Sequence, residues 1–187
     1  MAIKTFTTGE VLTAADTNTY LANSGLVYIS TTTIATATTQ FVGAFTDTYT
    51  NYRAVFSYTA SAGVGVLFRW LVGTTVQTGN IVSQSIGVVS NVGVLTASTR
   101  GDQYGIFPAA FPTYPASASI DIYNPKAVGY SSYASQISTV PESATVSRLE
   151  MVGGRNIATT QIDGFEITTA SAITLSGTMT LYGYRKG

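Results

Sequence analysis

From Leu26 onward, apolar and polar residues alternate with a period of two, and this alternation most constrains how the chain can fold. Between residues 52 and 58, for example, Tyr52 and Phe56 alternate with Arg53 and Ser57. Successive side chains of a strand point to opposite faces of a sheet, so the pattern predicts half-buried strands. Thr, Val, Ile, Tyr and Phe, which fit a pleated surface, dominate the composition. The sequence therefore predicts an all-β domain.

Short strands recur along the chain, separated by turn-forming Gly, Asn and Pro residues. We expect strands near residues 26–29, 52–58, 64–72, 81–89, 103–107, 120–123, 130–137, 146–152, 162–168, 173–175 and 179–184. Eight or more strands of this kind predict an antiparallel β-sandwich with a jelly-roll-like architecture. The stretch Phe107–Pro115 is rich in proline. Because proline cannot donate a hydrogen bond within a central strand, we expect a surface loop there.

The segment Val64–Val72 is apolar on both of its alternating faces. Phe68 and Trp70 lie on one face, while Leu67 and Leu71 lie on the other. This pattern predicts a strand that is buried on both faces or that lies at an interface. We expect burial between protomers, and the closed symmetry of a homotrimer would explain it.

One helix is predicted near the N-terminus. Thr13 is followed three residues later by Asp16, which is the spacing of a capping box. Gly25 is well placed to end a helix over Ala14–Asn23. A helix of this length is marginal in isolation, so it must pack against something else.

We therefore divide the chain into an N-terminal anchoring arm with a short helix, residues 1–25, and one β-sandwich domain, residues 26–187. The arm is predicted to bind a partner protein through its large apolar side chains. These candidate anchor residues are Phe6, Leu12, Tyr20 and Leu21.

The chain contains neither His nor Cys, which removes most catalytic and metal-binding chemistry. A Ser-His-Asp triad needs an imidazole base, and zinc sites depend largely on His and Cys ligands. Asp121, Asp163 and Glu166 are the carboxylates that could act on a glycosidic bond. However, Asp163 precedes a glycine, as in an ordinary turn, and Asp121 is expected to face solvent. We expect no enzyme activity, no metal and no cofactor.

Nine basic and nine acidic residues give a net charge of zero, and they are spread along the chain. Without a Lys/Arg cluster, binding to nucleic acid is not expected. No apolar stretch is long enough for a membrane helix, and the first residues do not resemble a signal peptide. We therefore expect synthesis in a cytoplasm, and a surface rich in hydroxyl groups that meets partner subunits.

Four aromatic residues cluster with prolines in the expected loop: Tyr104, Phe107, Phe111 and Tyr114. Tyrosine rings carry a polar tip and suit contacts with a partner protein or a host-surface glycan. The same four rings would equally suit a cover over the open end of the sandwich. Both interpretations stay open.

A family resemblance is carried by three segments, Phe6–Leu21, Tyr49–Arg53 and Ser176–Arg185, which resemble small virion structural proteins of tailed bacteriophages. The leader Phe6–Leu21 follows their Phe-Thr-x-Gly-x-x-Leu-Thr-Ala opening and the Asn-x-Tyr-Leu helix that comes next. The segment Tyr49–Arg53 is similar to their Tyr-x-Asn-Tyr-Arg strand, and Ser176–Arg185 is similar to their last strand.

The resemblance implies a non-enzymatic structural protein on the virion exterior, with a jelly-roll-like domain behind an anchoring arm. Its partners would be other virion proteins, either the major capsid protein or tail proteins. One hypothesis is a capsid decoration or cement protein. The alternative is a tail, fibre or neck component that contacts the host surface. The chain has no long repetitive shaft, which favours decoration.

Overall fold

The computed structural model describes residues 7–11, 13–16, 25–79, 81–89, 95–101, 105–110, 112, 114–143 and 146–184. The elements in that part of the chain are α1 (Ala14–Asp16), β1 (Leu26–Ile34), β2 (Thr38–Phe41), β3 (Asn51–Ala60), β4 (Val64–Val72), β5 (Thr75–Val76), β6 (Ile81–Val89), β7 (Leu95–Gly101), β8 (Gly105–Ala110), β9 (Ala116–Tyr123), β10 (Ser131–Ser143), β11 (Val146–Asn156), β12 (Gly164–Thr169) and β13 (Leu175–Tyr184).

These strands form two antiparallel sheets arranged as a sandwich. The larger sheet has eight strands in the order β1-β13-β3-β9-β10-β11-β6-β7. The smaller sheet has five strands, in the order β2-β12-β4-β5, with β8 also paired to β4. The predicted all-β fold and the sandwich arrangement are thus confirmed.

In the larger sheet, strand β13 lies between β1, which is an edge strand, and β3. Its residue Tyr184 pairs with Leu26 of β1, and its residue Leu175 pairs with Ala60 of β3. The sequence predicts two short strands here, near 173–175 and 179–184, but there is one strand, Leu175–Tyr184, which contains the second and only the last residue of the first.

The core is an aromatic cluster between the two sheets. Phe165 of β12 lies within it, and its ring centroid is 4.6 Å from that of Phe41, 5.4 Å from that of Phe68 and 6.2 Å from that of Phe56. Trp70 is completely buried beside them. Rings at these separations add specific ring–ring attraction to the hydrophobic contribution of their burial.

Strand β3 shows how the predicted alternation produces this core. Tyr52, Ala54, Phe56 and Tyr58 are all buried, whereas the residues between them are exposed or half-buried. The same periodicity leaves one face of β3 on the outer surface of the larger sheet.

Strand β4 is buried on both faces, as predicted, but burial between protomers is not needed to explain it. Phe68 and Trp70 face the aromatic core, while Leu67 and Leu71 on the opposite face are only 8% and 0% exposed within the single chain. One chain therefore buries both faces of this strand. The apolar pattern of β4 gives no support to a trimer.

The predicted surface loop over Phe107–Pro115 is wrong for its first four residues. Phe107 and Pro108 lie in strand β8, and Phe107 pairs with Val66 of β4. Among the described strands β8 pairs only with β4, so it is an edge strand, where a residue without an N–H group is tolerated.

The predicted N-terminal helix is seen only over Ala14–Asp16. The rest of that prediction, residues 17–23, lies outside the described part of the chain. Gly25, the predicted helix stop, has a φ of 98°, which is a backbone conformation that favours glycine. Within the described residues, no helix combines the length and apolar character that a membrane span requires.

Candidate interaction surface

The described residues of the leader make no use of the sandwich for burial. Residues 7–11 and 13–15 are all exposed, and the side chain of Val11 is 78% exposed. By contrast, every residue of the buried core cluster lies between Ile34 and Leu181. The sandwich therefore completes its core without these leader residues.

The four predicted anchor residues lie outside the described part of the chain: Phe6, Leu12, Tyr20 and Leu21. Of the four predicted aromatic contact residues, Tyr104 and Phe111 also lie outside it. Phe107 lies on β8 and Tyr114 is half-buried. Partner binding by these residues stays a prediction.

Two of the carboxylates considered for catalysis instead stabilise the smaller sheet. Glu166 is 1% exposed, pairs with the Arg69 guanidinium and accepts a hydrogen bond of 2.9 Å from Gln40 Nε2. Asp163 accepts the backbone N–H of Gly73 at 2.9 Å with each carboxylate oxygen. Both acids are held by structural contacts. The described residues contain no group of three or more His, Cys, Asp or Glu side chains that could hold a metal ion.

The third carboxylate, Asp121, lies on the outer face of the larger sheet, as predicted, but it is tightly bound there. Arg53 donates to it from Nε at 2.7 Å and from a terminal nitrogen at 2.6 Å. The hydroxyl of Tyr184 donates to the same carboxylate at 2.6 Å. The Arg53 guanidinium carbon also lies 5.7 Å from the centroid of the Tyr184 ring, within reach of a cation–π contact.

This network shifts the pKa values of its members. Burial alone would raise the pKa of Asp121, but the hydrogen bonds from Arg53 and Tyr184 outweigh it and lower that pKa. Partial burial, together with the bond to Asp121, raises the pKa of Tyr184 to about 12. The hydrogen bond to Asp121 raises the pKa of Arg53. The charges of Arg53 and Asp121 therefore remain paired across the ordinary pH range.

Beside this network, a groove of about 450 Å³ lies on the outer face of the larger sheet. We call it the outer-face groove. Its lining includes these outward-pointing side chains of β3, β9, β10 and β11: Val55, Ser57, Ser117, Ser119, Gln136 and Leu149.

Short side chains in cross-strand pairs account for the groove. Ser57 of β3 pairs with Ser117 of β9, and Val55 pairs with Ser119. Gln136 of β10 pairs with Ser119 from the other side. Residues opposite one another in neighbouring strands share a face, so the serines form a low floor between longer side chains.

Exposed tyrosines continue the outer face beyond the network, toward the sheet edge. Tyr28 of β1 pairs with Tyr182 of β13, which in turn pairs with Arg53. The rings of Tyr28 and Tyr182 are 6.2 Å apart and nearly perpendicular, and Tyr28 is 60% exposed. Tyr123 of β9 is also exposed. The aromatic surface is therefore open to solvent.

At the opposite side of the groove, the outer face becomes apolar. Ile86 pairs with Met151, and Val88 pairs with Leu149, across strands β6 and β11. All four side chains are exposed. Contiguous exposed apolar surface of this kind marks sites of interaction.

The sequence did not predict this surface, because the outward residues of each strand were expected only to face solvent. One signal was available: Tyr182 and Tyr184 occupy outward positions of β13, where polar residues are expected. Which outward residues become neighbours depends on strand order, and the spacing of residues along the chain does not determine that order.

In comparisons with known proteins, no family model, no curated protein and no solved structure matches the chain.

Proposed function

We propose that this chain is a non-enzymatic structural protein of a phage virion, displayed on the particle exterior and docked through its N-terminal leader. The observation that carries the proposal is the exposure of leader residues 7–11 and 13–15, including Val11, beside a sandwich whose core is complete without them. An apolar leader residue left in solvent gains burial when a partner covers it. Docking on another virion protein would supply that cover.

The strand order supports the jelly-roll part of the proposal. The larger sheet contains the run β1-β13-β3-β9, and the smaller sheet contains β2-β12-β4 with β8 paired to β4. Phe56 of β3 contacts Phe41 of β2 and Phe165 of β12 across the two sheets. In both sets a late strand lies between two early ones, as two interleaved Greek keys require. Strands β5 to β7 and β10 to β11 then extend this eight-strand frame. Viral capsid and lectin domains both use jelly rolls, and the fold alone does not choose between them.

Within the virion, we place the protein on the capsid as a decoration or cement protein, with the major capsid protein as its partner. A homotrimer remains the proposed assembly, although β4 no longer argues for it. The resemblance of the leader and of the last strand to phage virion proteins supports the setting. The structural contacts of Glu166 and Asp163 favour a non-enzymatic role.

The experiment is to count this chain in purified particles by quantitative mass spectrometry, for the full-length protein and for a variant lacking residues 1–24. We expect a copy number comparable with that of the major capsid protein for the full-length chain. The truncated chain should fold, since its core is intact, and should be lost from particles. A truncated chain that still joins particles would overturn docking through the leader.

A matched pair of point variants separates docking from general surface effects. Val11 in the leader and Val128 in the sandwich are 78% and 79% exposed. We expect Val11→Ser to lower incorporation and Val128→Ser to leave it unchanged. Equal behaviour of the two variants would contradict a specific role for the leader.

The second candidate is a tail, fibre or neck component that contacts the host surface. The observation that favours it is the open aromatic and hydroxyl-bearing outer face around Tyr28, Tyr182 and Ser119. The same measurement decides between the candidates, because a tail component would be present in far fewer copies than the major capsid protein.

A further inference from the structure

The outer-face groove lies on strands whose backbone groups are already used. The strands β3, β9, β10 and β11 that line it each have a neighbour on both sides. Their N–H and C=O groups are therefore engaged within the sheet, and an extended peptide cannot bind here by adding a strand. Any ligand in the groove must be recognised by side chains.

The side chains of the groove offer neutral hydrogen-bonding groups between two apolar walls. Ser57, Ser117 and Ser119 supply hydroxyls, each of which can donate and accept. Gln136 adds an amide, while Val55 and Leu149 provide apolar contact. The volume of about 450 Å³ lies within the usual range for small-ligand sites. This lining suits a ligand that carries both hydroxyl and C–H surface.

One end of the groove meets the Arg53–Asp121 pair. The paired residues Val55 and Ser119 are followed, two positions along each strand, by the paired residues Arg53 and Asp121. Two residues of a strand span roughly 7 Å, so a ligand in the groove can reach them. Asp121 uses only two of the N–H groups of Arg53, and a guanidinium has further donors to offer.

The Arg53–Asp121 pair also favours a ligand that carries no net charge. Arg53 and Asp121 neutralise one another through two hydrogen bonds, and the groove lining carries no charged side chain of its own. A charged ligand would lose hydration without gaining an opposite charge. A neutral ligand avoids that loss.

Beyond the pair, Tyr182 and Tyr28 present aromatic surface in the same cross-strand row as Arg53. Aromatic rings with polar tips combine apolar contact with hydrogen bonding. The C–H face of a sugar ring can lie on such a surface while its hydroxyls reach neighbouring polar groups.

From this arrangement we infer that the outer-face groove binds a neutral carbohydrate, an oligosaccharide lying across the strands between Leu149 and Tyr28. Hydroxyls and the amide in the groove hydrogen bond to one part of the ligand, and Arg53 to the next. The tyrosines contact its far end. This site is separate from the leader, so it can fail while the proposed virion role holds, and the reverse.

The test uses the full-length protein on an array of neutral and acidic oligosaccharides, followed by titration calorimetry with the neutral oligosaccharide that binds best. Ser119→Leu fills the groove at an outward position, and Tyr182→Ala removes an aromatic contact. The matched control is Ser132→Leu, which places the same substitution on the same face of β10 but away from the groove.

We expect the wild type and Ser132→Leu to bind a neutral oligosaccharide with equal affinity, and Ser119→Leu and Tyr182→Ala to lose at least about tenfold, or 1.4 kcal/mol. Unchanged thermal unfolding in all variants shows that the loss is local. The inference is overturned by three outcomes: no binding on the array, binding of acidic oligosaccharides only, or binding that Ser119→Leu leaves intact. Crosslinking of a protein partner to the groove, blocked by Ser119→Leu, would also overturn it and assign the face to protein contact.

Discussion

Removing Arg69 should destabilise the protein far more than removing both Arg69 and Glu166. Glu166 is 1% exposed and has two partners, the Arg69 guanidinium and the amide of Gln40. In Arg69→Met, the Glu166 carboxylate would stay buried beside the neutral Gln40 amide and would lose the positive charge of Arg69. Breaking a buried ion pair from one side costs about 3–5 kcal/mol, because an uncompensated charge remains. For a chain of this size, that lowers Tm by roughly 6–20 °C.

The double variant Arg69→Met with Glu166→Met removes both charges and replaces them with apolar side chains. Such replacements are often neutral or stabilising, because the desolvation of both ions is avoided. Glu166→Met alone should have an intermediate effect, since the Arg69 side chain is 21% exposed and can be partly hydrated. The order of stability is therefore wild type close to the double variant, then Glu166→Met, then Arg69→Met.

Urea unfolding measures these differences, and Trp70 is a suitable probe because it is the sole tryptophan and is completely buried. Arg53→Met is the matched control. Its side chain is 36% exposed, and pairs that solvent reaches contribute only about 0–1 kcal/mol. The reasoning is refuted if Arg69→Met costs no more than Arg53→Met, or if the double variant is as unstable as Arg69→Met.

The Tyr184–Asp121 bond should make stability fall at both ends of the pH range. The folded state lowers the pKa of Asp121, so its contribution is complete above about pH 4 and is lost as pH falls through its folded pKa. The pKa of Tyr184 is raised to about 12, so its contribution is complete below about pH 10 and is lost on going to higher pH. Tyr184→Phe should reduce both losses in unfolding midpoints measured against pH; identical profiles would contradict this coupling. Separately, Gly177→Ala should destabilise by roughly 1–3 kcal/mol, because its Cβ would collide with the Ser57 carbonyl oxygen. Gly65→Ala, with nothing within 4 Å, is the control, and equal unfolding free energies would show that the collision is relieved.

The regular part of the fold was predictable because strand alternation is a local signal. In β3 the buried residues follow the period of two, and in β4 the predicted bounds match those observed. Strands β2 (Thr38–Phe41) and β7 (Leu95–Gly101) were not predicted. Both are rich in Thr or Ser, whose hydroxyls also suit turns, so residue type did not separate a strand from a connection.

The candidate surface was much less predictable, because its parts come from strands that are distant in sequence. Arg53, Asp121 and Tyr184 belong to β3, β9 and β13, and no spacing along the chain brings them together. Strand order decides which outward residues become neighbours, and that order depends on pairings between remote segments. The sequence could show that Ser119 faces outward, but not that Ser57 and Gln136 would join it in one groove.

The position of β13 also has a consequence for how the protein is made. During synthesis β1 and β3 leave the ribosome early, yet the strand that hydrogen bonds to both of them is Leu175–Tyr184. Until that segment emerges, the facing edges of β1 and β3 have unpaired backbone groups and cannot reach their final register. Pairings between remote segments slow folding, and open strand edges favour aggregation in the meantime. We therefore expect the sheet to be completed late in synthesis, so that a ribosome stalled before residue 175 would carry a sheet in which the edge strand β1 is not joined to β3.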